Sequence, residues 1–146
     1  MKRNSRLALA LHTLGHMAAE PGRMRTSADI ADHAGTNPVV VRRVLGKLRE
    51  AGLLISEKGH AGGWRLARDP QTITLADVYL ALEERLVATD DLEDPATCHV
   101  EHALHQRVAA VMSSIERSLV ERLAATTIAE VQQAEKCNCS ACLPAG

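Results

Sequence analysis

The sequence predicts a mainly α-helical fold with one small two-stranded β element, and three observations carry that prediction. Two short helices follow one another across a glycine turn between Thr26 and Glu50. Two short apolar runs, Leu53–Ile55 and Trp64–Ala67, flank a glycine-rich turn directly afterwards. Further on, Leu104, Val108, Val111, Ile115, Leu119 and Leu123 step by 4, 3, 4, 4 and 4 residues, a continuous apolar seam on one long helix.

The first element is an amphipathic helix. Lys2, Arg3 and Arg6 precede Leu7, Ala10, Leu11, Leu14 and Ala18 at helical spacing, with Asn4 or Ser5 as the cap and Pro21-Gly22 as the stop. A basic start before an apolar run resembles a signal peptide superficially, but His12, Thr13 and His16 interrupt the run and its period is helical. No stretch approaches the roughly 18 apolar residues of a membrane span. The expectation is a cytoplasmic protein without a membrane partner, its first helix packed behind the second short helix of the pair.

Thr26-x-x-Asp29 is a capping box that opens a helix through His33, and Gly35 closes it. Asn37-Pro38 then supplies an N-cap and a first-turn proline for the next helix. In that helix Val41, Val44, Leu45 and Leu48 form one buried stripe, while Val39, Arg42, Arg43 and Lys47 lie on the opposite side. Two such helices, the second basic on its outer face, form a helix-turn-helix. The two strands and the turn from Glu57 to Gly63 form a wing, and Asp69-Pro70 closes the unit.

Thr74-x-x-Asp77 is a second capping box; its helix carries Leu75, Val78, Tyr79 and Leu82. An acidic loop from Thr89 to Pro95 leads to the long helix that starts at Cys98. A lone long helix cannot bury its seam against one small winged unit, so a partner subunit is expected. Thr127-x-x-Glu130 caps a last short helix, expected to fold back onto the partner's DNA-binding unit. The predicted organisation is therefore a winged helix-turn-helix over residues 1–86, an acidic sensor loop over 87–97, a dimerisation helix and short C-terminal helix over 98–133, and a flexible cysteine-containing tail over 134–146.

Composition narrows the ligand. Aromatic residues make up 1% of the chain, Trp64 and Tyr79 alone, so the stacking platforms that hold single-stranded bases are missing. The net charge of −1 hides a division: residues 1–72 hold 12 Lys/Arg against 6 Asp/Glu, whereas residues 73–146 hold 5 against 12. A basic half that carries the helix-turn-helix is the footprint of phosphate binding to double-stranded DNA. The first turn of the second helix should enter the major groove, with Val39 and Val40 against thymine methyls and Arg42 or Arg43 on guanine or phosphate. Lys47 and Arg49 would hold the backbone. Lys58, Gly59 and His60 form the wing tip, and Lys2, Arg3 and Arg6 are available for phosphates.

The run Ala51-Gly52-Leu53-Leu54, Lys58-Gly59, Gly62-Gly63-Trp64, Leu66-Ala67-Arg68 and Ile73-Thr74-Leu75-Ala76-Asp77-Val78 resembles the Rrf-two family of bacterial transcription regulators. That family includes an iron–sulfur cluster regulator, a nitric-oxide-sensitive repressor and a cysteine-metabolism repressor. The resemblance spans roughly residues 1 to 133 and implies a crossed-helix homodimer on a near-palindromic operator, acting as a repressor. It also implies base contacts from Asn37, Val39 and Arg42. Where the family commonly carries a wing arginine for the minor groove, this chain has Lys58, a less selective reader. Asn37-Pro38-Val39 and Gly63-Trp64 look most like a subgroup generally without a demonstrated cluster. Cluster-binding members carry three cysteines in the sensor region and this chain keeps only Cys98, so a conventional iron–sulfur cluster is not expected.

Four cysteines remain to be placed: Cys98, Cys137, Cys139 and Cys142. In a cytosolic protein they suggest redox or metal chemistry before structural disulfides. Cys98, His102 and His105 share one helical face, a donor set suited to zinc, copper or iron, and Cys137-x-Cys139-x-x-Cys142 is independently metal-like. Alternatively Cys98 is a sensor thiol for a small redox-active or electrophilic effector, since a helix N-terminus favours thiolate. The competing reading is a packed Cys98, solvated histidines and a tail without a ligand. No nucleophile–base pair or acid–base dyad marks an enzyme. The remaining alternative is a metal- or thiol-binding winged-helix interaction protein that does not regulate by DNA binding.

Overall fold

The computed structural model describes residues 6–83 and 98–138, with side chains as far as residue 134. Six α-helices and one two-stranded sheet follow in the order α1 (Arg6–Ala19), α2 (Ser27–Ala34), α3 (Pro38–Glu50), β1 (Leu54–Glu57), β2 (Gly63–Leu66), α4 (Leu75–Leu82), α5 (His99–Ala124) and α6 (Ile128–Asn138). The fold is therefore mainly helical with a two-stranded antiparallel wing, as the sequence predicts.

The caps set the element boundaries. Thr26 Oγ1 accepts from the Asp29 N–H at 3.1 Å while Asp29 Oδ2 accepts from the Thr26 N–H at 3.3 Å, closing the capping box of α2. The Thr26 hydroxyl, which donates to Asp29 Oδ2 at 2.6 Å, and then the Thr26 N–H hold the Asp29 carboxyl below its ordinary pKa. Gly35 ends α2 in the left-handed region at φ 67°, a conformation that costs glycine nothing and most other residues strain. Asn37 Oδ1 then accepts from Val40 N–H at 3.0 Å and starts α3, with Pro38 in its first turn. Thr74 and Asp77 repeat the box at the start of α4, with 3.0 and 3.1 Å bonds.

Helices α1 to α4 and the wing enclose one aliphatic core. Ala10, Leu14 and Met17 of α1 meet Ile30 of α2, Val41, Val44, Leu45 and Leu48 of α3, and Val78 and Leu82 of α4. The predicted α3 stripe is buried completely, with Leu45 and Leu48 at 0% exposure. Burying each such side chain contributes about 1.5–3 kcal/mol relative to leaving it in water. The first helix does lie behind α3, and it packs more extensively against α4 and α6.

The wing differs from expectation at its edges. β1 starts at Leu54 rather than Leu53, because the Leu53 N–H bonds the Leu48 carbonyl at 3.0 Å and so still belongs to the helix terminus. The sheet pairs Leu54 with Leu66 and Ser56 with Trp64. A third backbone joins it: Arg25 and Trp64 exchange both N–H···O bonds, at 3.0 and 2.8 Å, and Trp64 Nε1 donates to Ser27 Oγ at 2.9 Å. Gly63, at φ 146°, makes this possible, since a Cβ there would lie 2.6 Å from the Arg25 carbonyl oxygen. The wing is thus stitched to the α1–α2 connection.

Helix α6 folds back, as expected, and within the single chain it rests on α1. Its first residue, Ile128, is fully buried, and its N–H bonds the Ile73 carbonyl at 2.9 Å. The Leu75 N–H in turn bonds the Thr126 carbonyl at 3.0 Å, so the α5–α6 corner is clamped to the start of α4. Helix α6 also continues to Asn138, into the segment read as a tail from residue 134. The acidic loop 87–97 and residues 139–146 of the tail lie outside the described residues.

Candidate nucleic-acid interface

The candidate recognition surface comprises the first half of α3 and the wing. Val39 is 59% exposed on the first turn of α3, an apolar side chain that the core does not use. Val40 is half-buried, and its N–H is taken by the Asn37 cap. That cap also commits the Asn37 oxygen, so any base contact from Asn37 falls to its amide NH2 group.

The cations divide into two classes. Arg42 and Arg43 on α3 and Lys58 on the wing are exposed, and among the described residues they take part in no ion pair or side-chain hydrogen bond. Lys47 and Arg49, one and two turns further along α3, are already engaged. Lys47 Nζ lies 2.8 Å from Glu83 Oε2, and this partner pulls the Glu83 carboxyl below its ordinary pKa. Arg49 donates to Ser56 Oγ at 3.1 Å and its guanidinium lies 6.0 Å from the Trp64 ring centroid. Arg49 therefore joins α3 to the wing. Nothing in the spacing of α3 separates the two classes; Glu83 and Ser56 come from elsewhere in the chain.

Gly59 and His60 are exposed at the wing turn beside Lys58, and Gly59 adopts φ 108°. Arg6 is exposed at the start of α1, while Lys2 and Arg3 lie outside the described residues.

The sensor candidates sit on α5. Cys98 is the exposed N-cap of α5. Its thiol makes no side-chain cap hydrogen bond of ordinary geometry, yet the backbone N–H of Glu101, and then that of Val100, hold its pKa below the usual thiol value. His102 Nε2 pairs with the Gln106 side-chain amide at 2.9 Å. His105 is half-buried one turn further. Of the tail cysteines, Cys137 falls in the last turn of the α6 backbone, and Cys139 and Cys142 lie outside the described residues.

One convergence escaped the sequence reading. Among the described residues, the set of three histidine, cysteine or acidic side chains whose donor atoms come together is His12, His16 and His33, not Cys98, His102 and His105. The spacing of His12 and His16 was visible in the chain, but His33 reaches them only through the packing of α2 on α1.

The fold as a whole agrees with comparisons to known proteins. A family model described as Rrf2, iron-dependent transcriptional regulator, matches residues 3–134. The chain belongs to the Rrf2 family. Over 131 residues it is 35% identical to the Bacillus subtilis (strain 168) protein YwnA, named among HTH-type transcriptional regulators, covering 88% of this chain and 95% of that one. The solved structure of CymR (YrzC), the global cysteine regulator of B. subtilis, superposes with a TM-score of 0.64 at 22% identity, covering 92% of this chain and 98% of that one. That of T. potens IscR gives 0.68 at 23% identity, covering 96% and 93%. At those identities the two structures show the shared fold.

This Rrf2 chain is accordingly a DNA-binding winged helix-turn-helix transcriptional regulator, and its family is one of regulators rather than enzymes. Among the described residues no helix is long and apolar enough to cross a membrane. The family description raises iron, so the donor set matters. Iron–sulfur clusters are held by several cysteine thiolates, with histidine replacing some of them in certain centres. Among the described side chains Cys98 is one such donor, an exposed thiol; the side chains of Cys137, Cys139 and Cys142 lie outside the described residues.

Proposed function

We propose that the chain is a homodimeric repressor that reads a near-palindromic operator in double-stranded DNA. The observation that carries this reading is the pair Arg42 and Arg43, exposed and unengaged on α3 while the later cations of the same helix are taken. Arg42, Val39 and the Asn37 amide group face base edges. Arg43, Lys58, His60 and the N-terminal cations Lys2, Arg3 and Arg6 meet phosphates, with the Gly59 backbone at the wing tip. Such a regulator works in the cytoplasm, where bacterial DNA lies.

Homodimerisation rests on α5. No residue of that helix is buried by its own chain, and Leu104, Val111 and Ile115 stay at least half exposed along the predicted seam. A second copy supplies the missing cover, and two α3 helices then address two half-sites about one DNA turn apart. Cys98 is the sensor: an exposed thiol with a lowered pKa at the head of that helix is placed to react with an oxidant or electrophile.

The test is a salt titration of binding to the promoter of its own gene, with wild type beside Arg42→Glu/Arg43→Glu. For wild type, log affinity falls linearly with log salt, by about 0.9 per phosphate neutralised. Each lost base contact costs about 1–3 kcal/mol, so the double reversal weakens binding by tenfold or more and flattens the slope. Unchanged affinity in the double variant would show that α3 is not the recognition helix. Cys98→Ser keeps basal binding and loses the response to oxidant; a retained response moves the sensor to the tail cysteines.

A further inference from the structure

We propose that His12, His16 and His33 form a binding site for one divalent first-row transition-metal ion, on the face of the molecule where α1 meets α2. The site uses no cysteine and none of the residues proposed to contact DNA.

Two elements build it. His12 and His16 stand four residues apart on α1, the spacing that puts two helical imidazoles on one face and within reach of a single ion. His33 comes from the last turn of α2. The three rings are already in mutual contact, with centroids 4.6 Å apart for His12–His16, 5.2 Å for His12–His33 and 4.4 Å for His16–His33. One donor nitrogen from each lies within 4.8 Å of the other two. The closest pair, His16 Nε2 and His33 Nε2, are 2.9 Å apart.

That last distance decides the chemistry. Two ring nitrogens this close share one proton, so at least one of them presents a lone pair to the other. Zinc bonded to imidazole nitrogens at about 2.0–2.1 Å in a tetrahedral shell separates its ligands by about 3.3 Å. The His16–His33 pair needs to open by only a few tenths of an ångström, and His12 needs to close by a ring rotation. His12 and His33 are exposed and His16 half-buried, so side-chain torsions suffice and no helix has to move. Three neutral nitrogens leave a fourth position for water, and imidazole donors suit zinc, copper, nickel and iron(II) rather than calcium or magnesium.

Occupancy would tie α1 to the end of the first helix of the helix-turn-helix. His33 precedes the Gly35 turn and the Asn37 cap of α3, and α1 is the helix on which α6 rests. A bound ion therefore stiffens the seat of the recognition helix.

The experiment uses the full-length chain with Cys98, Cys137, Cys139 and Cys142 replaced by serine, so that thiol sites do not compete. Metal-free protein is titrated with Co²⁺, followed by its visible d–d absorption, and then with Zn²⁺ to displace it. One ion per chain in a nitrogen-and-oxygen environment is expected. In the same background His16→Gln and His33→Gln each weaken binding by roughly tenfold or more, since even outer-shell partners of a metal ligand cost that much. No cobalt uptake, or uptake that both variants leave unchanged, would overturn the site. The wild-type chain provides a second readout: Zn²⁺ should shift the ring ¹⁵N resonances of His12, His16 and His33 together. Shifts confined to His102 and His105 would also overturn it.

Discussion

Helices α3 and α5 carry apolar stripes of equal regularity and meet opposite fates. In α3 the stripe of Val41, Val44, Leu45 and Leu48 is sealed by α1, α2 and α4. In α5, about 39 Å long at 1.5 Å per residue, the stripe from Leu104 to Leu123 has no fully buried member. The contrast separates two meanings of the same pattern. A helical stripe states that a face will be covered; it does not state by what. For α3 the cover lies within the chain, close in sequence, and the capping residues fix how the helices meet. For α5, among the described residues, the main cover is α4 on one side, through contacts such as Tyr79 Oη to Glu116 Oε1 at 3.5 Å.

The sharpest way to break this comparison is to make the α5 seam unburiable. Val111 is 59% exposed in the single chain, so Val111→Glu leaves the core untouched while placing a carboxylate in the middle of the proposed intersubunit seam. The variant is expected to sediment as a folded monomer with unchanged helical signal. Losing the link between two DNA-binding units removes a gain of about 10²–10⁴ in affinity, so operator binding should fall by at least a hundredfold. A dimer that persists would mean that the seam serves another partner.

In that monomeric background the two stripes can be compared directly by urea unfolding. Leu48→Ala empties a site at 0% exposure and should cost about 2–5 kcal/mol. Leu104→Ala, at a position 60% exposed, should stay within about 0.5 kcal/mol. Equal costs would show that α5 is covered within its own chain after all.

The same contrast explains what the sequence disclosed. Thr26-x-x-Asp29, Asn37-Pro38 and Thr74-x-x-Asp77 were readable because a cap is made by residues within one turn of each other. The wing was readable because its strands are joined by one short turn, though its pairing with Arg25 was not, since that backbone comes from before α2. Among the candidate DNA contacts, composition marked the basic helix but could not sort its cations. Lys47 finds Glu83 36 residues away, a pairing that only the packing of α4 on α3 creates. His33 joins His16 across 17 residues for the same kind of reason. The cap of α6 gives the helix a start and no direction; the buried Ile128 gives the direction within its own chain. Local chemistry is legible, and the meeting of distant elements is not.

Cys98 stands at the head of α5 and gives the smallest effect, a shift in reactivity. The thiolate is the nucleophile, so the rate of alkylation against pH traces the thiol's ionisation. Because the folded-state pKa is lowered, the Cys98 peptide should gain reactivity at a lower pH in native protein than in urea-unfolded protein. In the same sense, the small stability linked to this group is present above the unfolded thiol's pKa and is lost as pH falls through the folded value. The largest source of the shift is a backbone group, the Glu101 N–H, which permits a clean separation. Glu101→Ala removes the carboxylate and keeps that N–H, and should leave the midpoint at or below its wild-type position. Glu101→Pro removes the N–H from the first turn of α5, where proline is tolerated, and should return the midpoint toward that of the unfolded chain. Mass spectrometry of the Cys98 peptide keeps the tail thiols out of the measurement. If the proline and alanine variants alkylate alike, the backbone of α5 does not tune this thiol, and its readiness to react has to come from a partner subunit instead.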